Sequence, residues 1–146
     1  METLEWVLER KGRQVRAIEK DATVLDAVGE MCRAHVGAVL VMDGDTLVGI
    51  FSERDLMRRV VLARKDPSRT HVADVMTTEV LSIAPDTTPP EAMAIVTRHR
   101  VRHLPVVEGR RIVGVVSIGD LVRWTIDERE HEIAELHEYV TGRYPG

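Results

Sequence analysis

A short sequence motif that occurs twice contains the residues best suited to binding a ligand. Residues 49–56 read GIFSERDL and residues 114–121 read GVVSIGDL, with glycine, serine, aspartate and leucine in the same places. The two carboxylate oxygens of an aspartate match the two hydroxyl donors of a vicinal diol, so the phrase could grip a ribose. The same serine and aspartate could also cap a helix, and the two interpretations are compatible. The candidate ligand-binding residues are Ser52, Asp55, Ser117 and Asp120.

The two phrases are parts of a longer internal repeat. A shift of 65 positions aligns residues 15–61 with residues 80–126 without a gap, and fifteen of the 47 pairs are identical. We expect an α+β fold of tandem βαββα repeats that pack with pseudo-two-fold symmetry, with an added helix at each end. The predicted N-terminal helix, first repeat, linker, second repeat and C-terminal extension are residues 1–11, 12–62, 63–76, 77–126 and 127–146.

Local signals mark the elements of each repeat. The first strands are predicted at residues 15–18 and 80–83. The helices that follow should begin after Thr23 and Thr88, which are suited to N-cap positions, and end near His35 and Arg100. Turn dipeptides then join two apolar strands into a hairpin in each repeat. Cys32 is expected in the core, on the apolar side of the first repeat helix.

Helices are also expected at both ends of the chain. The N-terminal helix should have Thr3 as its cap and Gly12 as its stop, with Leu4, Val7 and Leu8 on one face. The C-terminal helix should run to about Thr141, with Gly142 as its stop. Its apolar residues have a spacing typical of a short coiled-coil seam, and we expect either a dimer contact or packing on its own domain. These residues are Ile126, Ile133, Leu136 and Val140.

Composition and charge argue against several classes of function. The chain is 44% hydrophobic, 30% charged and 3% aromatic, which is typical of a globular protein with few rings for stacking nucleobases. A net charge of −4 disfavours uniform attraction to nucleic acid or acidic lipid. The single cysteine indicates a reducing, cytoplasmic location, and neither a signal peptide nor an apolar segment of ~20 residues is recognised.

Catalysis has no positive support in the sequence. No Ser/His/Asp or Cys/His set is suggested by position, and neither motif aspartate has an evident partner for acid-base work. His99 and His103 have the spacing of a metal pair, but the helix is expected to end between them. The phrase HEIAE at residues 131–135 lacks the second histidine of the metalloprotease motif. We therefore expect a non-enzymatic protein without a metal or other cofactor.

The doubled phrase resembles the CBS-domain pair, a regulatory module found in inosine monophosphate dehydrogenase and in the gamma subunit of AMP-activated protein kinase. The family motif is G-h-h-[ST]-x-x-D near the end of each repeat, where h is apolar, with a strand like HLPVV between the copies. GIFSERD, HLPVV and GVVSIGD stand in that order within residues 12–126. The resemblance implies an adenosyl nucleotide in the cleft between the repeats, its ribose held by Asp55 and Asp120, with Ser52 and Ser117 near the sugar or phosphate.

The resemblance also implies the residues that line the adenine slot, which are Ile18, Ala38, Val39, Ile83, His103, Leu104 and Pro105. Positive charge for a phosphate is densest at residues 98–103, where Arg102 or His103 could reach it, and Arg54 is a further candidate. AMP is the first ligand expected, with ATP, ADP, NAD and S-adenosylmethionine as alternatives. Because GAVLV in the first repeat replaces the RHLPV pattern of the second, the two clefts are not expected to be equivalent.

These observations predict a cytoplasmic sensor that changes its conformation or partner contacts when it binds its ligand. We expect a homodimer that acts on an unidentified regulated partner and does not associate with membranes. Two other classes remain open. The protein could be a ligand-free scaffold whose motifs serve only as helix caps, or it could bind nucleic acid through the arginine cluster at residues 98–111, which the net charge makes less favourable.

Overall fold

A computed structural model describes residues 2–140, with side chains as far as residue 137. The chain divides into two compact units, of which the first runs from Gln14 to Ser82. The second unit joins the N-terminal segment up to Arg13 with the chain from Ile83 onward. The elements in chain order are α1 (Leu4–Lys11), β1 (Ala17–Glu19), α2 (Val24–Ala34), β2 (Ala38–Asp43), β3 (Thr46–Ser52), α3 (Glu53–Asp55), a π-helical segment (Leu56–Val61), a 3₁₀ turn (Val72–Asp74), α4 (Pro89–His99), β4 (His103–Glu108), β5 (Arg111–Ser117) and α5 (Ile118–Val140).

The first unit is built on a three-stranded sheet in the order β1-β2-β3. β1 runs parallel to β2, and β2 pairs antiparallel with β3 across the turn at Gly44, whose φ of 62° favours glycine. The predicted α+β class and hairpin are thus confirmed. The core of this unit combines residues of α2, the sheet, the π-helical segment and the turn after it: Val24, Ala27, Met31, Val39, Val41, Phe51, Val60, Val72 and Val75.

α2 begins where the sequence predicts. Thr23 Oγ1 accepts a hydrogen bond from the Asp26 N–H at 3.1 Å, and the Asp26 carboxylate accepts one from the Thr23 N–H at 3.2 Å. The predicted core position of Cys32 is wrong, because its side chain is exposed. α2 buries Met31, and the next residue is turned by about 100° around the helix, away from that face.

The second unit contains a two-stranded sheet, the hairpin β4-β5. The strand predicted at residues 80–83 is reduced to a single parallel bridge between Ile83 and β4. In the first unit the Leu40 N–H donates to the Arg16 carbonyl at 2.9 Å, but its counterpart Pro105 has no N–H to donate. The ladder of the second repeat is therefore shorter than that of the first.

α4 and α5 follow their sequence signals. Thr88 caps α4, with its Oγ1 accepting from the Glu91 N–H at 3.3 Å, and prolines fill the first turn. α4 ends at His99, before β4 begins at His103, as expected. The predicted helix end at Thr141 and Gly142, the side chain of Val140 and the predicted start at Met1 lie outside the described residues. Within residues 2–140, no helix is both long and apolar enough to cross a membrane.

α1 belongs to the second unit, which the sequence did not indicate. The helix ends before Gly12, with a φ of 103°, as predicted, but it begins at Leu4 instead of spanning residues 2–3 as well, and the Thr3 side chain makes no capping hydrogen bond. The backbone N–H groups of Leu4 and Glu5 donate to the carbonyls of Thr87 and Pro85 at 2.8 and 3.0 Å. Leu8 is fully buried and lies over the backbone of Gly114 in β5. The first helix of the chain therefore packs on the second repeat.

Candidate ligand-binding site

The first motif lies at the junction of β3 and α3. Ser52 Oγ accepts a hydrogen bond from the Asp55 N–H at 3.3 Å. In return, Asp55 Oδ2 accepts hydrogen bonds from the Ser52 N–H and hydroxyl at 3.0 and 3.1 Å. This reciprocal pair satisfies backbone donors at the helix start and places negative charge at the positive end of the helix. The predicted capping geometry is present in the first motif.

The other carboxylate oxygen of Asp55 is also occupied. Thr77 Oγ1 donates to Oδ1 at 3.0 Å, and Arg59 Nε lies 3.8 Å from the same atom. Two backbone hydrogen bonds of 2.9 Å with Ile50 hold Thr77 in place. The side chain of Asp55 is only 7% exposed. This carboxylate is therefore nearly closed to a ligand hydroxyl, because its side chain is buried and each of its oxygens already accepts a hydrogen bond.

The second motif has the same cap in a different environment. Ser117 Oγ accepts from the Asp120 N–H at 3.1 Å, and Asp120 Oδ2 accepts from the Ser117 N–H at 2.8 Å. Within residues 2–137, however, no donor is hydrogen-bonded to Oδ1 of Asp120. The side chain is 19% exposed, against 7% for Asp55. One oxygen of this carboxylate is therefore open to a ligand hydroxyl.

Lys11, the last residue of α1, forms an ion pair with Asp120. Its Nζ donates to Asp120 Oδ2 at 2.6 Å and to the Val115 carbonyl at 2.7 Å. Burial acts to raise the pKa of Asp120, but hydrogen bonds from Lys11 and from the Ser117 N–H outweigh it and hold that pKa below its usual value of 3.8. The carboxylate is ionised at neutral pH and acts there only as a hydrogen-bond acceptor.

Lys11 has the role in the second repeat that Thr77 has in the first. Under the 65-residue shift, Val115 is the counterpart of Ile50. The Thr77 N–H donates to the Ile50 carbonyl and its hydroxyl donates to the motif carboxylate. In the second repeat one ammonium satisfies both of the equivalent acceptors. The two carboxylates thus occupy matching positions with different partners.

Other predicted site residues lie on the hairpins beside the motifs. Cross-strand pairing puts Ala38 opposite Ser52 and His103 opposite Ser117. Ile18 lies in β1, where it pairs with β2. Four of the predicted adenine-slot side chains are buried, so those residues would offer a ligand mainly their backbone: Val39, Ile83, Leu104 and Pro105.

The predicted phosphate-binding arginines are at the surface. Arg54 lies in α3 and Arg102 immediately precedes β4, and both are exposed. The second unit has a concavity of about 630 Å³, and neither Ser117 nor Asp120 lines it. Its arginines are already paired, Arg13 with Glu5 and Arg111 with Glu108. That concavity therefore adds no residue to the candidate site.

Sequence reasoning missed the two residues that distinguish the motifs, Lys11 and Thr77. Both lie just outside the aligned windows, and the 65-residue shift places residues 11–12 against residues 76–77. An alignment extended by four residues toward the N-terminus would have reached them. Lys11 is nevertheless 109 residues from Asp120, and no local pattern indicates a contact at that separation.

Comparison with known proteins identifies the family. The CBS domain model matches residues 12–62 and 72–127. The mitochondrial CBS domain-containing protein CBSX3 of Arabidopsis thaliana is 34% identical over 151 aligned positions, which cover 97% of this chain and 73% of that protein. The CBS-domain containing protein ATU1752 from Agrobacterium tumefaciens has a crystal structure with a TM-score of 0.81 and 35% identity, covering 85% of this chain and 99% of that one.

A second crystal structure, of the CBS domain protein NE2398, has a TM-score of 0.83 and 40% identity, covering 86% of this chain and 98% of that one. Proteins built on such pairs are generally regulatory and bind ligands. The family model matches the chain twice, and the relatives cover most of its length. The repeated motifs lie within the two matched segments. The protein therefore belongs to the CBS-domain family and contains a pair of CBS domains.

Proposed function

We propose that this protein is a non-enzymatic regulatory sensor that binds an adenosyl nucleotide, with AMP as the first choice, at the motif of the second repeat. The open Oδ1 of Asp120 supports this assignment most strongly. It is an acceptor on an ionised, partly exposed carboxylate at the start of α5, where the ribose of a nucleotide could donate a hydroxyl. ATP, ADP, NAD and S-adenosylmethionine are the alternative ligands.

The first motif is the weaker candidate for nucleotide binding. Both oxygens of Asp55 accept hydrogen bonds from residues of the same unit, and the side chain is almost fully buried. A ligand hydroxyl could reach this carboxylate only if the residues that bury it moved aside, which leaves little net gain from the new hydrogen bond. We therefore assign ligand binding to Asp120 and a structural role to Asp55.

Regulation requires that the ligand bind two states of the protein with different affinity. We propose that the nucleotide stabilises one arrangement of the second unit, and that this arrangement alters the contacts of a homodimer or of a regulated partner. The alternative function is a scaffold that binds no ligand. The buried helix cap of the first motif favours it, because that cap is complete without a ligand. Ligand binding decides between the two functions.

Isothermal titration calorimetry and thermal denaturation with an adenosyl panel test the proposal. AMP at about a hundredfold excess over its Kd should stabilise the wild-type chain by about 2.7 kcal/mol. Asp120→Asn should weaken AMP binding at least about tenfold, because the charged acceptor is lost.

Asp55→Asn is the matched control. It should keep AMP affinity within about twofold while lowering the free energy of unfolding by roughly 1–3 kcal/mol, since buried donors lose their charged acceptor. If no adenosyl ligand stabilises the wild-type protein at millimolar concentration, the scaffold function is favoured. If binding depends on Asp55 and not on Asp120, the assignment to the second repeat is wrong.

A further inference from the structure

Lys11 puts a positive charge directly on the carboxylate that the proposed ligand would use. An ammonium has three N–H donors, and two of them bond to Asp120 Oδ2 and the Val115 carbonyl. Among side chains described to residue 137, neither the third N–H of Lys11 nor Oδ1 of Asp120 has a partner. The ion pair therefore presents one donor and one acceptor side by side, and the Lys11 side chain is 34% exposed.

The net charge of this pair bears directly on a phosphorylated ligand. A lone carboxylate carries −1 and repels a phosphate monoester, which carries nearly two negative charges at neutral pH. Paired with Lys11, the same carboxylate belongs to a neutral group. Arg59, the cation nearest Asp55 in the first repeat, corresponds to Trp124 in the second, and Trp124 carries no charge. Among described side chains, Lys11 is the cation within ion-pair distance of Asp120.

We propose that Lys11 is a specificity-determining residue of the second site, which selects a phosphorylated ribosyl ligand over the uncharged nucleoside. The inference rests on the proposed function, since it concerns the ligand held by Asp120. Asp120 accepts a hydrogen bond from a ribose hydroxyl through Oδ1. Lys11 cancels the charge of the carboxylate and directs its remaining N–H toward the ligand. The site thereby no longer repels phosphate, and the ammonium offers it a hydrogen-bond donor.

Titration of the 146-residue chain with AMP and with adenosine tests this role. The wild-type protein should bind AMP more tightly than adenosine. Lys11→Met should weaken AMP binding roughly tenfold, the effect of one charge on a dianion about 7 Å away in a water-like dielectric. Adenosine affinity should stay within about twofold, so the preference for AMP is lost. Lys11→Arg should retain most of the preference, because the charge remains.

The chain offers a matched control in Lys65, an exposed lysine in the linker that forms no ion pair with any described residue. Lys65→Met makes the same change in net charge and should leave both affinities unchanged. A second measurement needs no variant: the wild-type preference for AMP should shrink as NaCl rises from about 50 to 500 mM, because salt screens exposed charges.

The outcomes separate this inference from the proposed function. If Lys11→Met binds both ligands more tightly, Lys11 competes with the ligand for Asp120 and the inference is overturned. The same conclusion follows if Lys11→Met keeps the wild-type ratio of the two affinities, while adenosine binding that depends on Asp120 would still uphold the proposed function. If neither AMP nor adenosine binds the wild-type chain, the inference is overturned, and if no ligand of the adenosyl panel binds it either, the proposed function is overturned as well.

Discussion

Asp55 and Asp120 occupy equivalent positions, but the residues that contact them set how much of each carboxylate a ligand can reach. The motif spacing of three residues fixes the cap, so sequence alone could predict the serine and aspartate of both copies. The partners could not be predicted in this way. Thr77 is 22 residues from Asp55 and Lys11 is 109 residues from Asp120, and such contacts depend on how the chain folds back on itself.

The lowered pKa of Asp120 predicts a pH-dependent contribution to stability. A carboxyl whose pKa is lower in the folded state than in the unfolded state stabilises the protein fully above its usual value of 3.8. This stabilisation is lost as the pH falls through the lowered value. We expect Asp120→Asn to be less stable than wild type by about 1 kcal/mol at pH 6, and the difference to shrink toward pH ~3.

Thermal denaturation of wild type and Asp120→Asn at both pH values checks this expectation. Comparison with the variant isolates Asp120 from the other carboxyl groups, which titrate in both proteins. Lys11→Met should make the stability difference between the two pH values smaller, because the Lys11 ammonium is one of the main causes of the lowered pKa of Asp120. A difference between wild type and Asp120→Asn that is constant from pH 6 to pH 3 would show that the ion pair does not stabilise the fold.

The elements of the two repeats correspond closely, and one difference between their sheets follows from a single proline. Apolar periodicity, capping threonines and turn dipeptides were enough to predict both hairpins and both repeat helices. They did not reveal that the first strand of the second repeat would be reduced to one bridge at Ile83. Pro105 lacks the N–H that its counterpart Leu40 donates. A pattern of apolar residues does not show this, because it counts proline as one more apolar side chain.

The two motif glycines lie against different covering segments, which predicts unequal costs of substitution. A Cβ at Gly49 would lie 2.9 Å from the Thr77 carbonyl, which is fixed by its hydrogen bond from Ile50. A Cβ at Gly114 would lie 2.6 Å from the tip of Leu8, which can change its rotamer. We expect Gly49→Ala to cost roughly 2–3 kcal/mol of unfolding free energy and Gly114→Ala clearly less.

Urea denaturation of the two variants measures the difference. Gly29→Ala is a suitable control, because a Cβ there meets no atom within 4 Å and alanine favours the middle of α2. That variant should be at least as stable as wild type. If Gly114→Ala lowers the unfolding free energy as much as Gly49→Ala does, the Leu8 side chain cannot move aside. In that case α1 packs on β5 more rigidly than we expect.

In the described part of the chain, large exposed apolar side chains are concentrated on α5. α5 exposes Ile118, Val122 and Ile126 at intervals of four residues, followed by Ile133 and Leu136, which are each 67% exposed. A helical stripe of this kind is typical of an association surface. We propose that it forms the contact of a homodimer.

The cytoplasmic location expected from the single cysteine stays a prediction.

The dimer proposal predicts that charge on this stripe separates the protomers. Wild type should sediment as a dimer at micromolar concentration, and the double substitution Ile126→Lys and Ile133→Lys should sediment as a monomer with an unchanged circular dichroism spectrum. Leu25→Lys is the control, since Leu25 is 56% exposed on α2 and lies outside the stripe. A dimer that withstands the α5 substitutions but is split by Met57→Lys would place the contact on the first unit.

Each hairpin is completed by a stretch of chain that leads into the other repeat. Residues 72–77 lie in the first unit, and α1, which precedes the first repeat, lies in the second. A gene fragment that encoded one repeat with its own leading stretch would therefore yield an unfinished body, with the glycine of its hairpin uncovered. Two copies of such a fragment could complete one another by exchanging those stretches.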